Sequence, residues 1–256
     1  MVTQGNDKVV LADVRDFEPC AIPLPEIQSP RAGEVHLWFL DLAGLAGSLR
    51  HALDGHSESE AALTTGQLRF ARRFYLRLLL GAYLGLPGKE VRLNRKQRGK
   101  PVLDASIHGD DLHFSMAKSE GRVLIGFSTS SHIGVDLEPV GRKARDALGV
   151  ARRYFSPAEA DFLAATPADQ RDAAFLRIWA CKEAVVKASG MGIANQFAHF
   201  TVNATAENPT ELLDHDGVPI AHWALALVQP EDGFLGAVAI QDSVTRFRAH
   251  RLIAAP

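Results

Sequence analysis

The sequence predicts an α+β protein of two similar-sized halves that meet near residues 128–131. Strand-like apolar runs recur on both sides of that point. An amphipathic helical stretch falls in the first half and a long, capped one in the second. No tandem repeat or low-complexity segment interrupts them. A chain of 256 residues accommodates one large domain or two small ones, and we divide it at 1–127 and 128–256.

In chain order, a Pro-rich entry (Pro19, Pro23, Pro25, Pro30) leads into Val35–Leu42, an apolar run that reads as a buried strand. Over 66–84, apolar residues Leu68, Phe70, Phe74, Leu76, Leu78, Leu79, Tyr83 and Leu84 recur at helical spacing between arginines, and Gly85 and Pro87 stop the helix. Short extended segments follow at 91–93, 101–103 and 112–116. Val123–Phe127 and Ile133–Leu137 read as strands about the polar turn Ser128–Ser131. Ser156-Pro157-Ala158-Glu159 spells a capping box with Pro in the first turn, opening a helix to about Ala165. Thr166-Pro167-Ala168-Asp169 repeats the pattern and starts a long helix that ends at Gly190. Phe200–Ala204, His222–Val228 and Phe234–Ile240 alternate as antiparallel strands do.

Composition excludes several classes. Hydrophobic residues make up 46% and charged residues 23%, as in a protein with a real core, so the chain is neither a disordered tail nor a fibre. Cys20 and Cys181 are the only cysteines, too few for a disulfide scaffold or a thiolate zinc site. No apolar run reaches a membrane span, and the first residues lack a signal-peptide pattern, so the expected location is the cytoplasm.

Charge is unevenly distributed. Net charge is −2, yet residues 69–100 hold ten basic side chains and one acid, Glu90. A second basic patch comprises Arg142, Lys143, Arg145, Arg152 and Arg153. Such concentration suits a polyanionic partner, whether a nucleotide, a nucleic acid or an acidic protein. From charge alone, a solvated basic helix face followed by a polar hairpin is the simpler reading. Aromatic residues do not interleave with the basic run as a stacking platform for nucleic acid would require.

Asp136 and Glu138 in Gly134-Val135-Asp136-Leu137-Glu138 share one face of a strand, with Val135 and Leu137 toward the core. Carboxylates two residues apart, about 7 Å at the backbone, can converge on one cation, and hard oxygen ligands suit magnesium. A polar strand end facing water fits the same triplet. On the long helix, Trp179, Glu183 and Lys187 line one stripe at i, i+4, i+8. A surface Glu–Lys pair beside a core Trp would look the same. Taken together with the basic segment, these acids suit magnesium-assisted displacement at phosphorus, and they would equally serve a metal-dependent phosphodiesterase or nucleotide hydrolase.

These strings resemble the Sfp-type 4′-phosphopantetheinyl transferases. Ile133-Gly134-Val135-Asp136-Leu137-Glu138 is similar to the family's Gly-[Ile/Val]-Asp-[Ile/Leu]-Glu. Phe155-Ser156-Pro157-Ala158-Glu159, Trp179-x-x-Lys182-Glu183-x-x-x-Lys187 and Gly190-x-Gly192 resemble its second signature, and Gly99-Lys100-Pro101 its upstream turn. The resemblance covers about residues 66–192. It implies a pseudo-dimer of two α/β subdomains with the active site between them, and a monomer, because the two halves already build the cleft. The implied reaction moves the phosphopantetheine arm of coenzyme A to a serine of an acidic apo acyl or peptidyl carrier protein and releases 3′,5′-ADP. Asp136, Glu138 and Glu183 would hold Mg2+, with Glu183 also the general base and Lys187 stabilising the departing phosphate. Lys182 would be a second phosphate contact, and Lys100 and Pro101 would line the nucleotide site. Arg69 or Arg73 would meet the 3′-phosphate, together with Lys118 and Ser119. In Phe114-Ser115-Met116-Ala117-Lys118-Ser119 the family's His is replaced by Lys118, a permanent cation at neutral pH. The family's early basic contacts have no counterpart over 44–66, where Asp54, Glu58 and Glu60 stand.

Overall fold

Strict alternation in one strand explains how the layers stack. In β2 (Glu34–Asp41), Val35, Leu37 and Phe39 point to one core, and Trp38 and Leu40 to another. A strand apolar on both faces must be covered on both, and β2 is. The computed structural model describes residues 13–47, 63–96, 99–130, 132–190, 197–205, 210–214 and 216–254. Ser131, Arg98, Gly192 and the acidic residues Asp54, Glu58 and Glu60 lie outside these.

Helix α1 (Thr65–Leu84) covers one face of a five-stranded sheet. That sheet has the order β1-β12-β2-β6-β5, with β1 at Glu18–Ala21, β5 at His113–Ser119, β6 at Arg122–Ser128 and β12 at Arg246–Ile253. Its other face packs against a three-stranded antiparallel sheet, β10-β11-β7, with β7 at Ile133–Pro139, β10 at Ala224–Val228 and β11 at Phe234–Ile240. Helices α3 (Ala147–Tyr154), α4 (Pro157–Ala165) and α5 (Ala168–Ser189) cover the outer face of this second sheet. The result is an α+β fold in which two sheets meet back to back and each carries a long helix outside. Small elements complete it: β3 (Leu93–Arg95) pairs with β4 (Pro101–Leu103), α2 spans Ala105–His108, and β8 (Thr201–Asn203) pairs with β9 (Glu211–Leu213).

Three expectations need correction. Phe70 and Phe74 are exposed with their rings stacked 6.5 Å apart, because α1 buries the opposite stripe of Tyr75, Leu76, Leu79 and Tyr83. Thr166 does not cap α5: its hydroxyl donates to the Phe162 carbonyl and closes α4 instead. The Ser156–Glu159 box does form, with both reciprocal bonds. Finally, β12 lies between β1 and β2, parallel to both, so the end of the chain completes the first sheet and crosses the division drawn at 127.

Candidate active site

The acidic strand and the long helix are held in contact by missing side chains. A Cβ on Gly134 would stand 2.0 Å from the Ala184 carbonyl oxygen and 2.5 Å from the Ala188 nitrogen. Only glycine lets the α5 backbone approach β7 this closely. On the same face of β7, two and four residues on, come Asp136 and Glu138, while Ile133, Val135 and Leu137 turn to the inter-sheet core. The spacing predicted from alternation therefore places both acids beneath α5, next to the stripe of Trp179, Glu183 and Lys187.

The charges meet there. Lys187 Nζ lies 2.6 Å from Asp136 Oδ1, and Asp136 Oδ2 is buried without a hydrogen-bond partner among the described residues. Arg142 Nη1 donates to both oxygens of Glu138, at 2.7 and 2.6 Å, and the Trp179 indole N–H donates to Glu138 Oε1 at 3.2 Å. Glu183 is buried within reach of the fields of Asp136, Glu138, Lys187 and Arg142. Burial pushes its carboxyl up to about 7, and Asp136 and Glu138 push it the same way against the pull of Lys187. Burial also raises the Asp136 carboxyl, against the pull of Lys187. Two protein cations thus engage two of the three acids. As the side chains stand, no group of three metal-ligating residues is assembled among the described residues.

The remaining residues singled out by sequence fall into different places. Lys182, expected at a phosphate, points away from the acids. It is fully buried, 2.8 Å from Glu159, and donates to the Phe197 and Phe200 carbonyls with its ammonium over the Phe200 ring. One residue along a helix is a turn of about 100°, so Lys182 and Glu183 cannot serve the same space. Lys100 reaches the junction, but its ammonium donates to the Ile133 and Lys187 carbonyls, each at 3.0 Å, tying the hairpin of the first half to the start of β7 and the last turn of α5. Burial lowers it to about 8, aided by Lys96 and Lys187. Pro101 follows as the first residue of β4. Arg69 and Arg73 are exposed one turn apart on α1, and Leu68 beside them packs near Gly121 in the β5–β6 turn, which follows Lys118 and Ser119. Lys118 is exposed and Ser119 half-buried. None of these four shares a hydrogen bond or ion pair given above for the acids.

Three contacts at the site do not follow from the sequence. Trp179 donates a hydrogen bond to Glu138 as well as packing on Phe175, their ring centroids 5.8 Å apart. Ser115 Oγ, buried on β5, accepts the Val135 N–H and so fixes the height of the acidic strand. Arg142 had counted only as part of a basic patch. The shared stripe of Trp179 with Glu183 was the available signal for the first; the other two depend on tertiary contacts.

The 4′-phosphopantetheinyl transferase superfamily model matches residues 132–239, the stretch that holds β7, α5 and every acid of the site. The 4′-phosphopantetheinyl transferase HetI of Nostoc sp. is 30% identical over 233 residues, covering 86% of this chain and 92% of that protein. The chain belongs to the 4′-phosphopantetheinyl transferase family. The enzyme is also 28% identical over 127 residues to the 4′-phosphopantetheinyl transferase Sfp of Bacillus subtilis, covering 50% of this chain and 54% of that one. Among solved structures, the Helicobacter pylori holo-[acyl-carrier-protein] synthase in complex with coenzyme A is 20% identical, covering 42% of this chain and 97% of its own, with a TM-score of 0.32. No helix among the described residues is long and apolar enough to cross a membrane.

One consequence of this electrostatic arrangement concerns the enzyme without metal. Glu183 holds its proton more tightly folded, at about 7, than at its ordinary value of 4.5. At this group the unfolded chain then binds fewer protons between those values, so its contribution to stability is fully present below about 4.5 and is lost as pH rises through 7. The raised carboxyl of Asp136 acts with the same sign. Thermal midpoints of the EDTA-treated enzyme should therefore fall across that window, with a shallower fall in Glu183→Gln. Equal slopes in the two proteins would refute the assignment.

Proposed function

We propose that the enzyme transfers the 4′-phosphopantetheine arm of coenzyme A to a serine hydroxyl of an apo acyl or peptidyl carrier protein, with magnesium, releasing 3′,5′-ADP. The observation that carries this reading is the meeting of Asp136, Glu138, Glu183 and Lys187 at one strand–helix crossing. The donor set fits a hard divalent cation: all three acids are carboxylates, one oxygen of Asp136 is buried with no hydrogen-bond partner among the described residues, and Glu183 lacks enough positive charge to stay ionised at its usual value. Asp136, Glu138 and Glu183 would hold the ion, which when bound offsets the negative charge of the diphosphate.

The protein's own groups supply the rest. Glu183 accepts the proton of the attacking serine as the new oxygen–phosphorus bond forms. The bond between that phosphorus and the bridging oxygen breaks, and the electron pair leaves with 3′,5′-ADP. Lys187, whose ammonium already stands at Asp136, is placed to stabilise the charge that develops on the departing phosphate. Arg69, Arg73, Lys118 and Ser119 offer a cationic surface for the 3′-phosphate. The acidic carrier would be drawn by the same basic surfaces.

Incubation with coenzyme A, magnesium and an apo carrier protein should add one phosphopantetheinyl group to the carrier's serine, read by intact-protein mass spectrometry. Breakdown of the nucleotide without a carrier, and no mass gain with one, would instead indicate the hydrolase that the same acids could serve.

A further inference from the structure

Glu138 is held by two donors of different character. Trp179, on α5, is half-buried and held among the rings of Phe155, Phe175 and Phe197, with its indole N–H donating to Glu138 Oε1. Arg142 lies in the turn after β7, where its backbone N–H bonds the Pro139 carbonyl, and its side chain is 55% exposed. Its guanidinium folds back onto the carboxylate and takes both oxygens through one nitrogen. The carboxylate is almost fully covered while its cationic partner stands in solvent. Of the two, only Arg142 can leave without disturbing the core.

We infer that Arg142 is a displaceable stand-in for the divalent cation: it occupies Glu138 in the free enzyme and leaves it when the anionic diphosphate arrives. The inference rests on the reading of Asp136, Glu138 and Glu183 as the cation site. A cation that needs both oxygens of Glu138 must compete with Arg142, so binding of the cation alone is weakened. A diphosphate offers the guanidinium an alternative partner of matching geometry and charge. Once Arg142 turns to it, Glu138 is free for the cation, with Trp179 still fixing the carboxylate. Cation and diphosphate therefore favour each other's binding through Arg142, in addition to any direct contact between them, and the favour is reciprocal. The arrangement also prevents three carboxylates from facing one another uncompensated while the site waits.

The test is Mn2+ binding, followed through the electron paramagnetic resonance of the free ion, to wild type, R142A and R142K, with and without coenzyme A. No turnover is needed. R142A should bind Mn2+ about fivefold more tightly than wild type in the absence of coenzyme A, as expected for loss of a half-exposed competing ion pair. Coenzyme A should improve Mn2+ affinity by a smaller factor in R142A than in wild type, with R142K between them. In a Glu138→Gln background the effect of R142A should disappear, since its target is gone. Unchanged or weaker Mn2+ binding by R142A, with wild type binding normally, overturns the role of Arg142 and leaves the cation site standing. Failure of every protein to bind Mn2+, with or without coenzyme A, overturns the cation site and this inference together.

Discussion

Glu183→Gln should lower the rate of carrier modification by about 10³-fold, within the range that a positioned general base contributes. Gln has nearly the same shape, so the contact between α5 and β7 survives. Measured without a divalent cation, coenzyme A affinity should change by less than about threefold, because Arg69, Arg73 and Lys118, proposed to meet its phosphates, lie on other elements than Glu183. The same substitution should raise the thermal midpoint of the metal-free enzyme above pH 7. There it removes a buried carboxylate that stands beside Asp136 and Glu138 and is forced to ionise. Higher stability with lost turnover is the signature of a group kept for chemistry rather than for folding. Single-turnover rates with saturating coenzyme A and carrier, beside a melting curve, read both effects. A variant that transfers at the wild-type rate would remove Glu183 as the base.

The site was legible in the sequence to the extent that its geometry is local. Alternation along β7 puts Asp136 and Glu138 on one face, and helical spacing puts Trp179, Glu183 and Lys187 on one stripe; both patterns need only the period of the backbone. The capping box at Ser156 and the glycine after Ser189 likewise mark helix ends within a few residues. What the sequence concealed was set by distant partners. Strand β12 breaks its alternation at His250-Arg251, and Arg248 finds Glu34 only when this strand pairs with β2. Phe70 and Phe74 fit an apolar stripe by spacing, but the helix turns Tyr75, Leu79 and Tyr83 inward, and Tyr83's hydroxyl binds Trp38 and His36 at 2.8 Å each. Arg142 looked like one more surface charge because nothing in its own neighbourhood names Glu138 as its target. Its four-residue separation from Glu138 carries no helical meaning in a turn.

Lys182→Met should lower the thermal midpoint by about 10 °C, the consequence of leaving Glu159 charged and buried without its cation, at about 3–5 kcal/mol for a chain of this size. The prediction discriminates between two roles. If Lys182 met a phosphate of coenzyme A, its loss would raise KM and leave stability nearly unchanged. The structure instead encloses its ammonium between Glu159 and two carbonyls of the segment that leads into β8. Glu159 is committed three ways: to Lys182, to the N-cap nitrogen of Ser156 at 2.9 Å, and to the Val202 nitrogen at 2.7 Å. Removing the lysine therefore loosens α4, α5 and β8 together. Ile178 and Val186 flank Lys182 at one turn on either side and both are buried, so the lysine expected at a phosphate stands on the inner face of α5. Well below its midpoint, the variant should bind coenzyme A with a KM within about threefold of wild type. Replacing both partners, Lys182→Met with Glu159→Gln, should recover part of the lost stability, because no uncompensated charge is then left inside. A double variant as unstable as the sum of the two single ones would show that the pair is not coupled, and a large rise in KM without a fall in midpoint would return Lys182 to the phosphate.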